Sequence, residues 1–213
     1  MKFRRKSTET DVADEGLLDD AQVDPAAAVA GPYDVDELPD DGVERLDLGS
    51  LLIEPQEGRE LRLQVDESTG EVQSVLLAGE DGAVELRAFA APRNGDLWET
   101  VRPQIAADMA QHGGTASERE GRFGTELVCR MTVRLEDGTT ATQPSRIIGI
   151  NGPRWMLRAT LLGRPAMEMD GAEEWEETIT RVAVRRGQGA MPVGDVLPVV
   201  LPEGARRVDP PTS

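Results

Sequence analysis

The sequence predicts an α+β fold, a mostly antiparallel sheet with two helices packed on one face as a two-layer sandwich. Three observations predict it. Apolar and polar residues alternate through most of the segments after residue 43, the period of a half-buried strand. Only two segments change to spacings of three and four, the period of an amphipathic helix. Short Gly, Asp and Asn turns join the alternating runs, and no strand–helix–strand rhythm supports a parallel sheet.

Residues 1–42 predict a disordered acidic tail. Between Glu9 and Glu44 there are thirteen acids and no Lys or Arg, a composition that cannot bury enough apolar surface to order itself. The head "KFRRK" is basic, with Lys2, Arg4, Arg5 and Lys6. Two apolar islands interrupt the tail, "GLL" at 16–18 and "PYDVDEL" at 32–38. Either could dock on a partner or on the chain's own domain.

A single domain is expected over residues 43–187. "VERLDLGSLLI" opens it. Leu61, Leu63 and Val65 then alternate with Glu60, Arg62 and Gln64. "GEVQSVLLAG" pairs with that strand across "DESTG". "DGAVELRAFAA" follows, with Val84, Leu86 and Ala88 on one face, so a meander is expected. In "GDLWETVRPQIAADMAQHGG", Trp98, Val101, Ile105 and Met109 form a helical face, with Asp96 and Glu99 as its capping pattern. Pro103 conflicts with a regular helix, where it costs about 3 kcal/mol. "HGG" stops the helix.

"TELVCRMTVRL" puts Leu127, Cys129, Met131, Val133 and Leu135 on one face of a strand. "EDGTT" is a hairpin turn. "TQPSRIIGI" and "PRWMLRATLLG" flank a second turn, expected at Asn151–Gly152. "DGAEEWEETITRVAVRR" predicts a helix with Trp175, Ile179 and Val182 inward and Asp170 and Glu173 at its cap. Its acids come first and its arginines last, the order favoured by the helix dipole. Trp98 and Trp175 are expected on the same layer as Trp155. Residues 188–213 predict an extended Pro/Gly-rich C-terminal segment, partly docked through "VLPVVL".

Composition limits the function. Net charge is −17, which argues against nucleic acid as the partner, because phosphate backbones are bound by focused positive charge. No run reaches the length of a membrane span, and the basic head is followed by acids rather than the apolar stretch of a signal peptide. One cysteine excludes an internal disulfide. A reducing, cytoplasmic setting is expected.

No catalytic signature is present. Phosphate loops, dinucleotide fingerprints, nucleophile elbows and HExxH are missing. His112, the single histidine, falls in the last turn of the first helix, where a cap explains it. Cys129 reads as a small core hydrophobe. The acids of "AMEMDGAEEWEE" are explained by a helix start. No catalytic residue, metal or cofactor is expected.

The distinctive stretch is "PSRIIGINGPRWMLRATLLGRP", Pro144–Pro165, with Arg146, Arg154, Arg158, Arg164 and no acid. Trp155, Leu157, Ala159 and Leu161 alternate with Arg154, Met156, Arg158 and Thr160. The odd positions predict the core. The even ones predict the sheet's other face, joined by Arg130 and Arg134 from a neighbouring strand. Arg130, Arg134, Arg154 and Arg158 are therefore the candidate binding surface. Acids such as Glu60 or Glu85 could pair with it. So could the acidic N-terminal tail, or an acidic protein or peptide.

The blocks "FAAPRNGDLW", "GRFGTELV", "GINGPRWMLR" and "LPVVLP", in that order, resemble the actinobacterial domain-of-unknown-function family 3710 over about residues 40–205. That resemblance implies an intact domain and carries over no established activity. The order of elements also looks, more loosely, like the Mog1/PsbP-type α/β sandwich, which usually serves binding or assembly. The leading expectation is a non-catalytic binding or adaptor protein using an arginine-bearing sheet face. An enzyme clamping an anionic small molecule with arginine is the first alternative. A regulator acting through the basic head is the second.

Overall fold

The computed structural model describes residues 31–134, 138–168 and 171–202. Expectations for residues 1–30, Leu135, Asp170 and the last eleven residues lie outside that range.

The strands follow the alternation closely. β1 is Tyr33–Asp34, β2 Leu46–Asp47, β3 Leu51–Ile53, β4 Glu60–Val65, β5 Val72–Ala78 and β6 Gly82–Ala90. Helix α1 spans Leu97–Gln111. β7 is Thr115–Gly121, β8 Gly124–Arg134, β9 Thr140–Gly152 and β10 Trp155–Gly163. The short α2 (Arg164–Met167), α3 (Glu173–Thr180) and β11 (Val182–Val184) complete the order. A seven-stranded antiparallel sheet runs β4-β5-β6-β10-β9-β8-β7, and a four-stranded sheet runs β1-β11-β3-β2. The α+β sandwich is thus present.

The helices are distributed over both faces of the large sheet. On one face Val75, Leu77, Val84, Leu86, Trp155, Leu157, Ala159 and Leu161 pack with Trp175 and Ile179 of α3 and with Leu51, Ile53, Val182 and Val184 of the small sheet. On the other face Leu127, Cys129, Ile147 and Met156 pack with Leu97 and Trp98 of α1. Trp98 therefore does not share a layer with Trp155 and Trp175. Residues paired side by side across a sheet share a face, and neighbours in sequence do not. Ile147 and Ile148 are both buried because β9 is covered on both sides.

Asp96 caps α1 by accepting from the Glu99 N–H at 2.7 Å, and the helix runs on through Pro103. The second helix is shorter than its sequence suggests. It ends at Thr180, and Val182, Ala183 and Val184 pair with Ile53, Leu52 and Leu51. β-branched residues fit a half-buried pleat better than a helix, so Val182 packs from a strand.

The β9–β10 turn sits two residues later than Asn151–Gly152. Gly152 pairs with Trp155, leaving Pro153 and Arg154 as the connection. Proline fixes the φ of the first turn residue, and Arg154 takes the left-handed region at φ 63°. Gly152 is required because a Cβ there would run into the Trp155 ring.

The domain also begins earlier than residue 43. β1 pairs in parallel with β11, and Asp34 Oδ2 accepts from Trp155 Nε1 at 2.7 Å. At the other end, residues 194–200 bridge the two sheets. The Leu197 N–H donates to the Ala88 carbonyl, Ala90 to Asp195, and Ser50 to Pro198. Leu197 is buried in the main core.

Candidate functional site

α1 packs over β7, β8 and β9. The remainder of that face, across β4, β5, β6 and β10, has no helix on it among the described residues. Its surface follows from register. Arg158 lies beside Arg87, Thr160 beside Glu85, and Met156 beside Phe89. Leu76 pairs with Glu85, and Arg62 with Leu76. Val196 of the C-terminal segment bridges to Phe89 and stays exposed.

The four sequence-predicted arginines do not share this face. Arg158 pairs with Gly149, an odd position of β9, whereas Arg130 and Arg134 pair with Pro144 and Thr140, even positions. Arg130 and Arg134 therefore rise from the opposite face, where both are exposed. Face is carried by register through β9, which sequence alone does not fix. Arg154 stands in the turn rather than on the strand. Only Arg158 lies on the open face.

Arg158 is half-buried, and its guanidinium stacks over Phe89 at 5.4 Å from the ring centroid. Among the described residues it makes no ion pair. The acids expected to answer it are engaged by arginines of their own strands. Glu85 is 3.0 Å from Arg87, and Glu60 is 2.6 Å from Arg62. Burial first, and then repulsion from Arg87, lower the Arg158 pKa from the ordinary arginine value, with Glu85 only partly opposing this. Phe89, Arg87 and Val196 were not singled out in the sequence. The signal for the first two was the outward alternation Glu85, Arg87, Phe89 opposite Val84, Leu86 and Ala88.

The other arginine of the basic stretch has the reverse character. Arg146 is 1% exposed. Its Nη2 donates to Glu126 Oε2 at 2.8 Å and to Glu176 Oε1 at 2.6 Å, and Arg119 also donates to Glu126. Burial would lower its pKa, but the hydrogen bonds to Glu126 and Glu176 outweigh that and raise it. This network joins β8, β9 and α3 inside the protein.

A cleft of about 360 Å³ lies between the loop after β3 and α3, lined by Gln56, Glu57, Arg59, Glu174, Glu177 and Arg181. Its arginines are occupied. Arg59 stacks 3.6 Å over Trp175, and Arg181 donates to Glu54 at 3.2 Å. Arg154 and Arg158 do not line it. His112 Nδ1 lies 2.8 Å from the Asp108 carbonyl at the end of α1. Cys129 is buried, and burial raises its thiol pKa. Among the described residues no group of three or more His, Cys, Asp or Glu is placed to hold a metal ion, and no helix is long and apolar enough to cross a membrane.

Residues 31–207 match the family described as "Protein of unknown function (DUF3710)". No curated protein matches the chain.

Proposed function

Since the chain belongs to the DUF3710 family, whose description carries no activity, we propose from its surface chemistry that it is a non-catalytic, cytoplasmic binding or adaptor protein. The open half of the large sheet receives an acidic segment of a protein partner. The observation that carries this reading is Arg158, half-buried on Phe89 and in no ion pair among the described residues, its neighbour Glu85 being held by Arg87. A guanidinium presents a planar fork of donors suited to a carboxylate, and partial burial strengthens such a contact. Phe89 lies against it and the exposed Val196 lies beside Phe89, so a peptide mixing acids and aliphatic residues fits better than a plain anion.

The test is fluorescence anisotropy with a short labelled peptide rich in Asp, Glu and Leu. Binding is expected to weaken with salt, as exposed charge contacts do, and to disappear in Arg158→Glu with the thermal midpoint nearly unchanged. Arg130→Glu, on the opposite face, is expected to bind as the parent does. Equal affinity in Arg158→Glu and parent would remove the open face as the site.

A further inference from the structure

We infer that the chain's own segment Glu9–Asp24 is an occupant of the Arg158 face, held there in cis and displaced by an acidic partner. This rests on the binding reading above and adds its regulation. Charge complementarity is the first ground. The segment carries seven acids (Glu9, Asp11, Asp14, Glu15, Asp19, Asp20 and Asp24) and no base, and it would meet a face where Arg158 makes no ion pair among the described residues and its neighbour Glu85 is held by Arg87. Its pattern is the second. Gly16, Leu17 and Leu18 sit between the acids, matching an arginine stacked on Phe89 with Val196 beside that phenylalanine.

Reach is the third ground. Asp34 is fixed to Trp155 by its hydrogen bond, and Trp155 precedes Arg158 by three residues on β10. That offset is about 10 Å along the strand. The route passes around the Pro153–Arg154 turn to the other face, roughly 25–30 Å in all from strand rise and sheet thickness. Tyr33 and Asp34 are held along β11 and Gly31 lies against the Thr180 carbonyl, so the tether starts at Gly31, about 10 Å farther back. The twelve residues from Asp19 to Gly31 extend to about 40 Å and the twenty-two from Glu9 to about 73 Å, which brings Glu9–Asp19 to the face and leaves Asp20 and Asp24 along the route. Arg154, half-buried at the turn with no ion pair among the described residues, lies on that route. A non-glycine residue in the left-handed region is uncommon. This turn keeps such a residue where a guanidinium would meet the passing acids.

The experiment compares two full-length proteins. One is the parent. In the other the seven acids become Gln or Asn (Glu9→Gln, Asp11→Asn, Asp14→Asn, Glu15→Gln, Asp19→Asn, Asp20→Asn and Asp24→Asn). Each is titrated with a labelled synthetic peptide of residues 9–24 and with the unrelated acidic peptide used above. Thermal melts verify that both proteins are folded. The neutralised chain is expected to bind both peptides about tenfold more tightly, the factor for a tethered competitor at an effective concentration of about 1 mM acting on a site with a Kd of about 0.1 mM. Adding Arg158→Glu to the neutralised chain is expected to abolish both. Equal affinities in parent and neutralised chain overturn the cis contact and leave the binding reading standing. So does binding of the unrelated peptide alone. Binding of neither peptide to the neutralised chain overturns both.

Discussion

The indole of Trp155 donates its Nε1 proton to Asp34 Oδ2 at 2.7 Å, tying β1 to the centre of the large sheet. Trp155 is 1% exposed and lies in the core shared with α3 and the small sheet. Trp155→Ala is expected to lower unfolding free energy by about 3–5 kcal/mol, the range for an aromatic lost from a packed core. Asp34→Ala strands a part-buried indole N–H and is expected to cost about 1–3 kcal/mol. In urea titrations the double variant should cost less than the sum, since the hydrogen bond is lost only once. Full additivity would show that the bond carries no coupling.

Arg146 is expected to be a structural residue despite its place in the basic stretch. Arg146→Met leaves Glu126 and Glu176 buried without their shared donor, and removing one partner of a buried ion pair typically costs about 3–5 kcal/mol. Combining it with Glu126→Leu and Glu176→Leu should recover much of that loss, because the stranded charges are gone. A denaturation midpoint unmoved by Arg146→Met would mean that the network is solvated and dispensable.

Gly149 sets how closely α1 approaches the sheet. A Cβ on Gly149 would run into the Trp98 indole, whose Nε1 donates to the Thr125 carbonyl at 2.6 Å. Gly149→Ala is expected to destabilise by about 1–3 kcal/mol, the usual cost of overpacking. The shift should appear in Trp98 fluorescence as well as in stability. An unchanged emission spectrum together with an unchanged melt would contradict this packing.

Asp41 gives the acid limb a definite sign. The Arg45 side-chain hydrogen bond, followed by that from the Val43 N–H, lowers its pKa from 3.8 to about 2. A carboxylate with a depressed folded-state pKa contributes stability that is complete above its unfolded value and is lost as pH falls through the folded one. Melting temperatures between about pH 4 and pH 2 are therefore expected to fall less steeply in Asp41→Asn than in the parent. The parent's advantage should be small, as befits a surface pair, fully present at neutral pH and gone once pH falls below about 2. A steeper acid limb in the variant would reverse the sign.

The sequence by itself determined the local elements. Alternation placed Leu61, Leu63, Val84, Leu86, Leu127, Cys129 and the odd positions of β10 on their inward faces, since a strand's two-residue period is written directly in its side chains. The 3–4 spacing placed α1, and Asp96 marked its start. Tertiary structure decided the relations between elements. Whether Arg130 and Arg158 share a face depends on pairing through β9, and one residue of register reverses the answer. Arg146 and Arg158 look alike in sequence, eight or more residues from any obvious partner. One is enclosed by Glu126 and Glu176 from distant elements, whereas Glu85, near the other, is already held by Arg87. An arginine's role is set by which carboxylates the fold brings within hydrogen-bond distance, and that proximity arises only when strands far apart in the chain are laid side by side.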